Sequence, residues 1–327
     1  MSTYQALWVT ETPHFQQKVI ERSLDDLPEG DVLIKVHYSS LNYKDALSAT
    51  GNRGVTRQFP HTPGIDAAGV VAHSSDPEFA AGDEVIVTGY DLGMNTFGGL
   101  AQYIRVPANW VIKRPAGLSL RESMILGTAG LTAALCVDKL LDAGLTADAG
   151  PVLVTGATGG VGSVAVVLLN QLGFQVTAAT GKAEQADFLH QLGAQTVISR
   201  EELTAGADKA LLKPRWAGVV DTVGGDILFN AVKALQYGAS AACCGLTAGI
   251  DFKASVLPFI LRGVNLLGVD SVELPLLHKA SMWDKLSLQW KLDLESLVKE
   301  ISLKDVPNAI ATMLASQQAG RTLVRID

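Results

Sequence analysis

Apolar and polar residues alternate in short pieces through the first third of the chain, as in DVLIKVHYSS at 31–40 and DEVIVTGY at 83–90. A period of two predicts half-buried strands, and the segments LPEG, FPHTPG and FAAGD cut them apart as turns. The pattern changes after RPAGLSLRES, where GTAGLTAALCVDKLLDAG at 127–144 carries its apolar residues at helical spacing. Strand-like and helix-like pieces then take turns. VLVT, QVTAAT, TVIS, AGVVDTV and SAACCGL read as strands, with helices at SVAVVLLNQLG, AEQADFLHQLGA and ILFNAVKALQYG. The pattern predicts an α/β protein in two parts, a β-rich barrel-like domain and then a doubly wound parallel sheet, with the change near residue 120. VNLLGVD can extend that sheet, and the strand-like GRTLVRID at 320–327 can return to the first part.

A length of 327 residues suits two domains with interior enough for a cofactor. A formal net charge of −7 leaves no basic excess for a phosphate backbone, so no nucleic-acid partner is expected. Cys136, Cys243 and Cys244 form no CxxC pattern, and the adjacent pair cannot easily bridge, which fits a reducing compartment. The N-terminal MSTYQALWVTETPHFQ lacks a basic segment followed by an apolar one, and no uninterrupted apolar window of about 18 residues occurs. A cytoplasmic protein without a membrane partner is the expectation.

The chemistry begins in VLVTGATGGVGS, 152–163. Its strand ends at Thr155 and its helix starts near Val161, so Gly156, Gly159, Gly160 and Gly162 fall in the turn between them. Small residues there let backbone N–H groups approach a pyrophosphate, and the helix dipole favours its charge. Ala157-x-Gly159-x-x-Gly162 is the GxGxxG pattern with Ala in first place. A tight turn that binds nothing would look similar alone, but strand, glycines and helix together favour a dinucleotide. A carboxylate about 20 residues on would accept from an adenosine ribose 2′-hydroxyl and repel a 2′-phosphate. The chain instead has TAATGKAEQ there. Thr180, Gly181 and Lys182 supply a hydroxyl, an open backbone N–H and a cation, so NADPH is preferred as the cofactor, with Arg200 a possible second cation.

A β-rich first domain, GTAGLTAAL at the junction and GGVG in the loop together resemble the medium-chain dehydrogenase/reductase superfamily over essentially the whole chain. The resemblance implies a Rossmann doubly wound parallel sheet plus a β-rich GroES-like barrel domain. It divides the chain into a GroES-like catalytic domain at 1–122, a Rossmann NADP-binding domain at 123–268 and a C-terminal return to the catalytic domain at 269–327. Zinc alcohol dehydrogenases of the superfamily carry a Cys in the loop after an early strand, a Gly-His-Glu-x-x-Gly segment and a four-cysteine lobe. Here those segments read SSLNYKDAL and Gly64-Ile65-Asp66-Ala67-Ala68-Gly69, and no cysteine precedes Cys136. Neither kind of tetrahedral zinc site can be assembled from these. His14, His37, His61, His73, His190 and His278 have no paired ligand spacing and are expected at the surface or in turns.

LNYKDAL, FPHTPGIDAAG, GGLAQYIRV, VTGATGGVGS, PFILRG and GVDSV narrow the resemblance to the zinc-free, quinone-oxidoreductase-like branch, nearest its bacterial acrylyl-CoA reductase (NADPH) type. The expected reaction is hydride transfer from NADPH to the activated C=C of acryloyl-CoA, giving propanoyl-CoA, because acceptors that are already electron-poor need no metal to polarise them. The residues in the place of the zinc ligands, Asn42 and Tyr43, are expected at the floor of the active site. The resemblance puts Tyr43 beside the nicotinamide; Asn42 can donate through its amide, and Asp45 can orient the loop or take part in proton transfer. As an ordinary helix cap, Asp45 would look the same. The resemblance also implies cofactor contacts from Leu246, Ile260 and Ser271, and a homodimer. An NADPH:quinone oxidoreductase and a non-catalytic nucleotide- or RNA-binding protein are the alternatives.

Overall fold

The computed structural model describes residues 2–326, in two units. The first comprises residues up to Thr128 and from Ser271 onward; the second is Ala129–Asp270. In the first, β1 (Thr3–Thr10) and β2 (Gln16–Ser23) form an antiparallel pair. β3 (Val32–Leu41), β4 (Asp66–Ser74), β5 (Glu84–Thr88), β6 (Tyr103–Val106) and β7 (Val111–Lys113) pair antiparallel in a larger sheet. Alternation puts Val32, Ile34 and Val36 of β3 on the inner face, where they meet Leu7, Leu100, Ile104 and Val324 in the core of this unit. After β3 comes the short α1 (Tyr43–Ala49), and α2 (Leu120–Asp142) follows β7.

The second unit is the parallel sheet that the strand–helix alternation predicts. Its strands are β8 (Val152–Val154), β9 (Val176–Thr180), β10 (Thr196–Ser199), β11 (Trp216–Asp221), β12 (Leu235–Cys243) and β13 (Asn265–Gly268). They are ordered β10-β9-β8-β11-β12-β13, all parallel. This is the 3-2-1-4-5-6 order of a Rossmann sheet, with its switch point between β8 and β11. Strands covered on both faces are mostly apolar, and β9 and β11 are buried at every residue. The helices are α3 (Gly160–Gln171), α4 (Ala186–Gln191), α5 (Arg200–Thr204), α6 (Gly225–Lys233) and α7 (Leu257–Arg262). After β13 the chain adds α8 (Leu276–Ser287), β14 (Val298–Ser302), α9 (Val306–Leu314) and β15 (Arg321–Arg325) to the first unit. There β15 pairs antiparallel with β3, Thr322 facing Leu41.

Two elements depart from the patterning. ILFNAVKALQYG does not stay helical: α6 stops at Lys233 and Leu235 already pairs with Trp216 as β12 begins. Helical spacing of Leu235 is overridden by the sheet, and Gly238 at φ +72° supplies a bend inside the strand. α2 is interrupted at Gly127, whose φ of 54° and ψ of −158° are not helical. By length and composition α2 could cross a membrane, yet it is mostly buried within protein and broken at this glycine.

Candidate active site

In the second unit the glycine turn ends β8 and opens α3. Gly159 caps α3 without a side chain, leaving the first-turn amides of Gly160, Val161 and Gly162 to an external acceptor. Gly162 is a glycine by necessity, since a Cβ there would lie 2.4 Å from the Gly156 carbonyl oxygen and 2.8 Å from Ala157 Cα. Beneath the turn, Asp221 at the end of β11 accepts from Thr155 Oγ1 at 2.7 Å and from the Gly224 amide at 2.8 Å. Burial pushes its carboxyl above the ordinary range, against the pull of those bonds. Asp221 and Thr155 thus lock the ends of two neighbouring strands and fix the turn. In AGVVDTV the signal was an acid inside an apolar strand.

At the end of β9, Thr180 pairs in register with Ser199, so Arg200 at the head of α5 arrives beside Gly181. A Cβ on Gly181 would touch the Arg200 guanidinium at 3.0 Å. Thr180 Oγ1 accepts from the Lys182 amide at 3.0 Å, forming a tight turn that ends on the lysine. Burial draws the Lys182 ammonium below its ordinary value, while Glu184 opposes this. The structure therefore brings Thr180, Gly181, Lys182 and Arg200 together, with no carboxylate at the end of β9. Leu246 and Ile260 of the same unit are 56 % and 68 % exposed, so neither is a core residue.

The first unit carries the other candidates. α1 opens on Tyr43, 42 % exposed, directly after the N-cap Asn42. Asp45, two residues on, is fully buried and accepts from the Asn42 amide at 2.8 Å and the Ile65 amide at 2.9 Å. It caps α1 and ties it to the Gly64–Gly69 segment. That burial, with Asp66 alongside, pushes its pKa up to about 7. Asn42 is also committed inward. Its Nδ2 donates to Asp66 Oδ2 at 2.7 Å and its Oδ1 accepts from Arg321 Nη1 at 3.3 Å. Donation from Asn42 to a substrate, expected from the sequence, is therefore not what the geometry supports; it is an anchor. Ser271 is buried in this unit.

Around Asn42 stands a set of residues given no role above. Asp66 accepts from Ser40 Oγ at 2.5 Å, from the Thr128 amide at 2.9 Å and from Thr128 Oγ1 at 2.5 Å, in addition to Asn42. Arg321, from β15, donates through Nε to the Ile125 carbonyl at 2.8 Å. Their signal was a charge set in an apolar strand, GIDAAG and GRTLVRID. Nothing here fits zinc: Ile65 stands between Gly64 and Asp66, and among the described residues no group of three or more His, Cys, Asp or Glu side chains could hold a metal ion. His61, expected at the surface or in a turn, is buried between Phe59 and Phe97, and burial holds its imidazole below the ordinary value. Arg53 is paired with Glu11.

A Rossmann unit with a glycine turn, joined to an antiparallel unit with a half-exposed tyrosine, defines a nucleotide-dependent dehydrogenase or reductase. Comparison with known proteins agrees. Residues 28–116 match the alcohol dehydrogenase GroES-like domain and 160–286 the zinc-binding dehydrogenase domain. YhfP of Bacillus subtilis, provisionally named a quinone oxidoreductase, is 49 % identical over 93 % of both chains. Its crystal structure with NAD bound matches with a TM-score of 0.97 at 47 % identity, over 100 % of both chains. Acrylyl-CoA reductase AcuI of Ruegeria pomeroyi is 44 % identical over 97 % of this chain and 96 % of its own. The structure of Escherichia coli YhdH with bound NADPH matches with a TM-score of 0.95 at 45 % identity, over 99 % of this chain and 100 % of that one. The chain belongs to the medium-chain dehydrogenase/reductase superfamily of NAD(P)-dependent oxidoreductases, in the group that holds AcuI and YhfP.

Proposed function

We propose that the protein reduces the carbon–carbon double bond of acryloyl-CoA with NADPH, without a metal. The observation that carries this reading is Tyr43: an exposed phenol at the head of α1, directly after the anchored Asn42, where metal enzymes of the superfamily place a ligand. Likeness to AcuI over nearly the whole chain supports the substrate. Thr180, Gly181, Lys182 and Arg200 would hold the 2′-phosphate, and the amides from Gly160 to Gly162 the pyrophosphate. Leu246, Ile260 and Ser271 would contact the nicotinamide end. Bound NADPH supplies a hydride to the β-carbon, so that acryloyl-CoA, NADPH and one proton give propanoyl-CoA and NADP+. The Tyr43 O–H would donate a hydrogen bond to the thioester oxygen as negative charge develops there, the role a metal plays elsewhere. A homodimer through the open edge at β13 belongs to the same reading.

Purified protein given NADPH with acryloyl-CoA, crotonoyl-CoA or benzoquinone tests the reading. Preference for acryloyl-CoA with propanoyl-CoA as product is expected. Turnover of benzoquinone alone would favour the activity for which YhfP is named.

A further inference from the structure

Asp66 and Arg321 are 0 % and 2 % exposed. Buried charges are costly, and a well-packed apolar pair would fill the same volume more cheaply. What the two charges add is direction. Asp66 takes the NH2 end of the Asn42 amide and Arg321 takes its oxygen end, so the amide can sit in one sense only. The surroundings hold both charges in place. Ser40 Oγ and both the amide and hydroxyl of Thr128 grip Asp66, while Arg321 is fastened to the Ile125 carbonyl. The break at Gly127 makes this possible, because a Cβ there would strike Ser40 Oγ, Asp66 Oδ2 and Arg321 Nη2 at 2.4, 2.6 and 2.9 Å. Arg321 Nη2 is buried without a protein hydrogen-bond partner, a cost that the contacts of Nε and Nη1 offset. Every one of these groups lies one or two bonds of contact from Asn42, and Asn42 precedes Tyr43 directly.

We propose that Arg321 and Asp66 are positioning residues for the reaction, holding Tyr43 in its productive orientation through the Asn42 amide. This rests on the reading of Tyr43 as the donor to substrate. Their role is distinct from cofactor binding: they act on the head of α1 and through it on the rate of the chemical step. A displacement of about 1 Å at a reacting group can cost up to ~100-fold in rate. Loosening the amide therefore lowers kcat while leaving the affinity for NADPH alone.

A double-mutant cycle tests this with NADPH and whichever of acryloyl-CoA or benzoquinone the wild type reduces. Arg321→Gln and Thr128→Val are each made alone and together with Tyr43→Phe. Thr128→Val removes the hydroxyl that donates to Asp66 Oδ1 and keeps the backbone amide bond to Oδ2, so it decides the matter if Arg321→Gln does not fold. Each single variant is expected to lose about 10-fold in kcat, with KM for NADPH unchanged within about two-fold, and to add no further loss to Tyr43→Phe. Multiplying losses in the double variants, with Tyr43→Phe itself slow, would overturn the positioning role and leave the reading of Tyr43 standing. Full activity of Tyr43→Phe would overturn both, and a raised KM for NADPH with normal kcat would assign Arg321 and Thr128 to the cofactor instead.

Discussion

Asp45 shows how one buried carboxyl links structure to pH. Its folded value of about 7 lies above the ordinary 3.8 because burial, then the neighbouring Asp66, disfavours its charge. A carboxyl with a raised folded pKa binds its proton more tightly in the folded state. Its contribution to stability is therefore full below about pH 4 and is lost as pH rises to about 7. Asp45→Asn removes that dependence, although its amide can accept only one of the two backbone N–H bonds. In urea unfolding, wild type should exceed this variant in stability by more at pH 5 than at pH 8; an equal difference at both would mean that Asp45 is not the titrating group. Lys182 gives the prediction for specificity. Losing a charged hydrogen bond of about 1.5–3 kcal/mol, Lys182→Ala should raise KM for NADPH by about 10-fold or more and leave NADH nearly unaffected. Equal effects on both coenzymes would remove the lysine from the 2′-phosphate. Tyr43, Asn42 and Asp45 could be singled out from LNYKDAL, but their division of labour could not. Whether Asn42 faces a substrate or the interior depends on Arg321, 279 positions away, and no local pattern announces that contact.

Elements follow the sequence where one periodicity acts alone and depart from it where two compete. β9 and β11, short apolar runs bounded by turns, are where the patterning puts them. The end of α6 is not, because Leu235 satisfies helical spacing and strand pairing equally, and its pairing with Trp216 decides. The interruption of α2 was equally hidden: helical spacing is readable only from GTAGLTAAL onward and not over Leu120–Leu126, while Gly127 adopts a φ open chiefly to glycine so that the Thr128 amide can turn to Asp66. Gly127→Ala combines backbone strain with a collision at Ser40 and Asp66, and should destabilise the protein by at least ~2 kcal/mol, measured as a shift of the urea midpoint. A loss below about 0.5 kcal/mol, the size of an ordinary surface substitution, would contradict the tight junction described here.

For the whole molecule, the two-part architecture was readable because each part has its own period, two in the first and strand–helix alternation in the second. The strand order of the second part, by contrast, is one of several that right-handed crossovers allow. What composition and period could not carry is the substrate, since one fold serves many acceptors and the choice lies in a few side chains. The most direct measurement follows the hydride. With NADPH carrying deuterium at both C4 positions and acryloyl-CoA as acceptor, one deuterium should appear on C3 of propanoyl-CoA and none on C2, which takes its proton from solvent. Propanoyl-CoA without deuterium, or label consumed only with a quinone acceptor, would contradict reduction of the enoyl thioester by this protein.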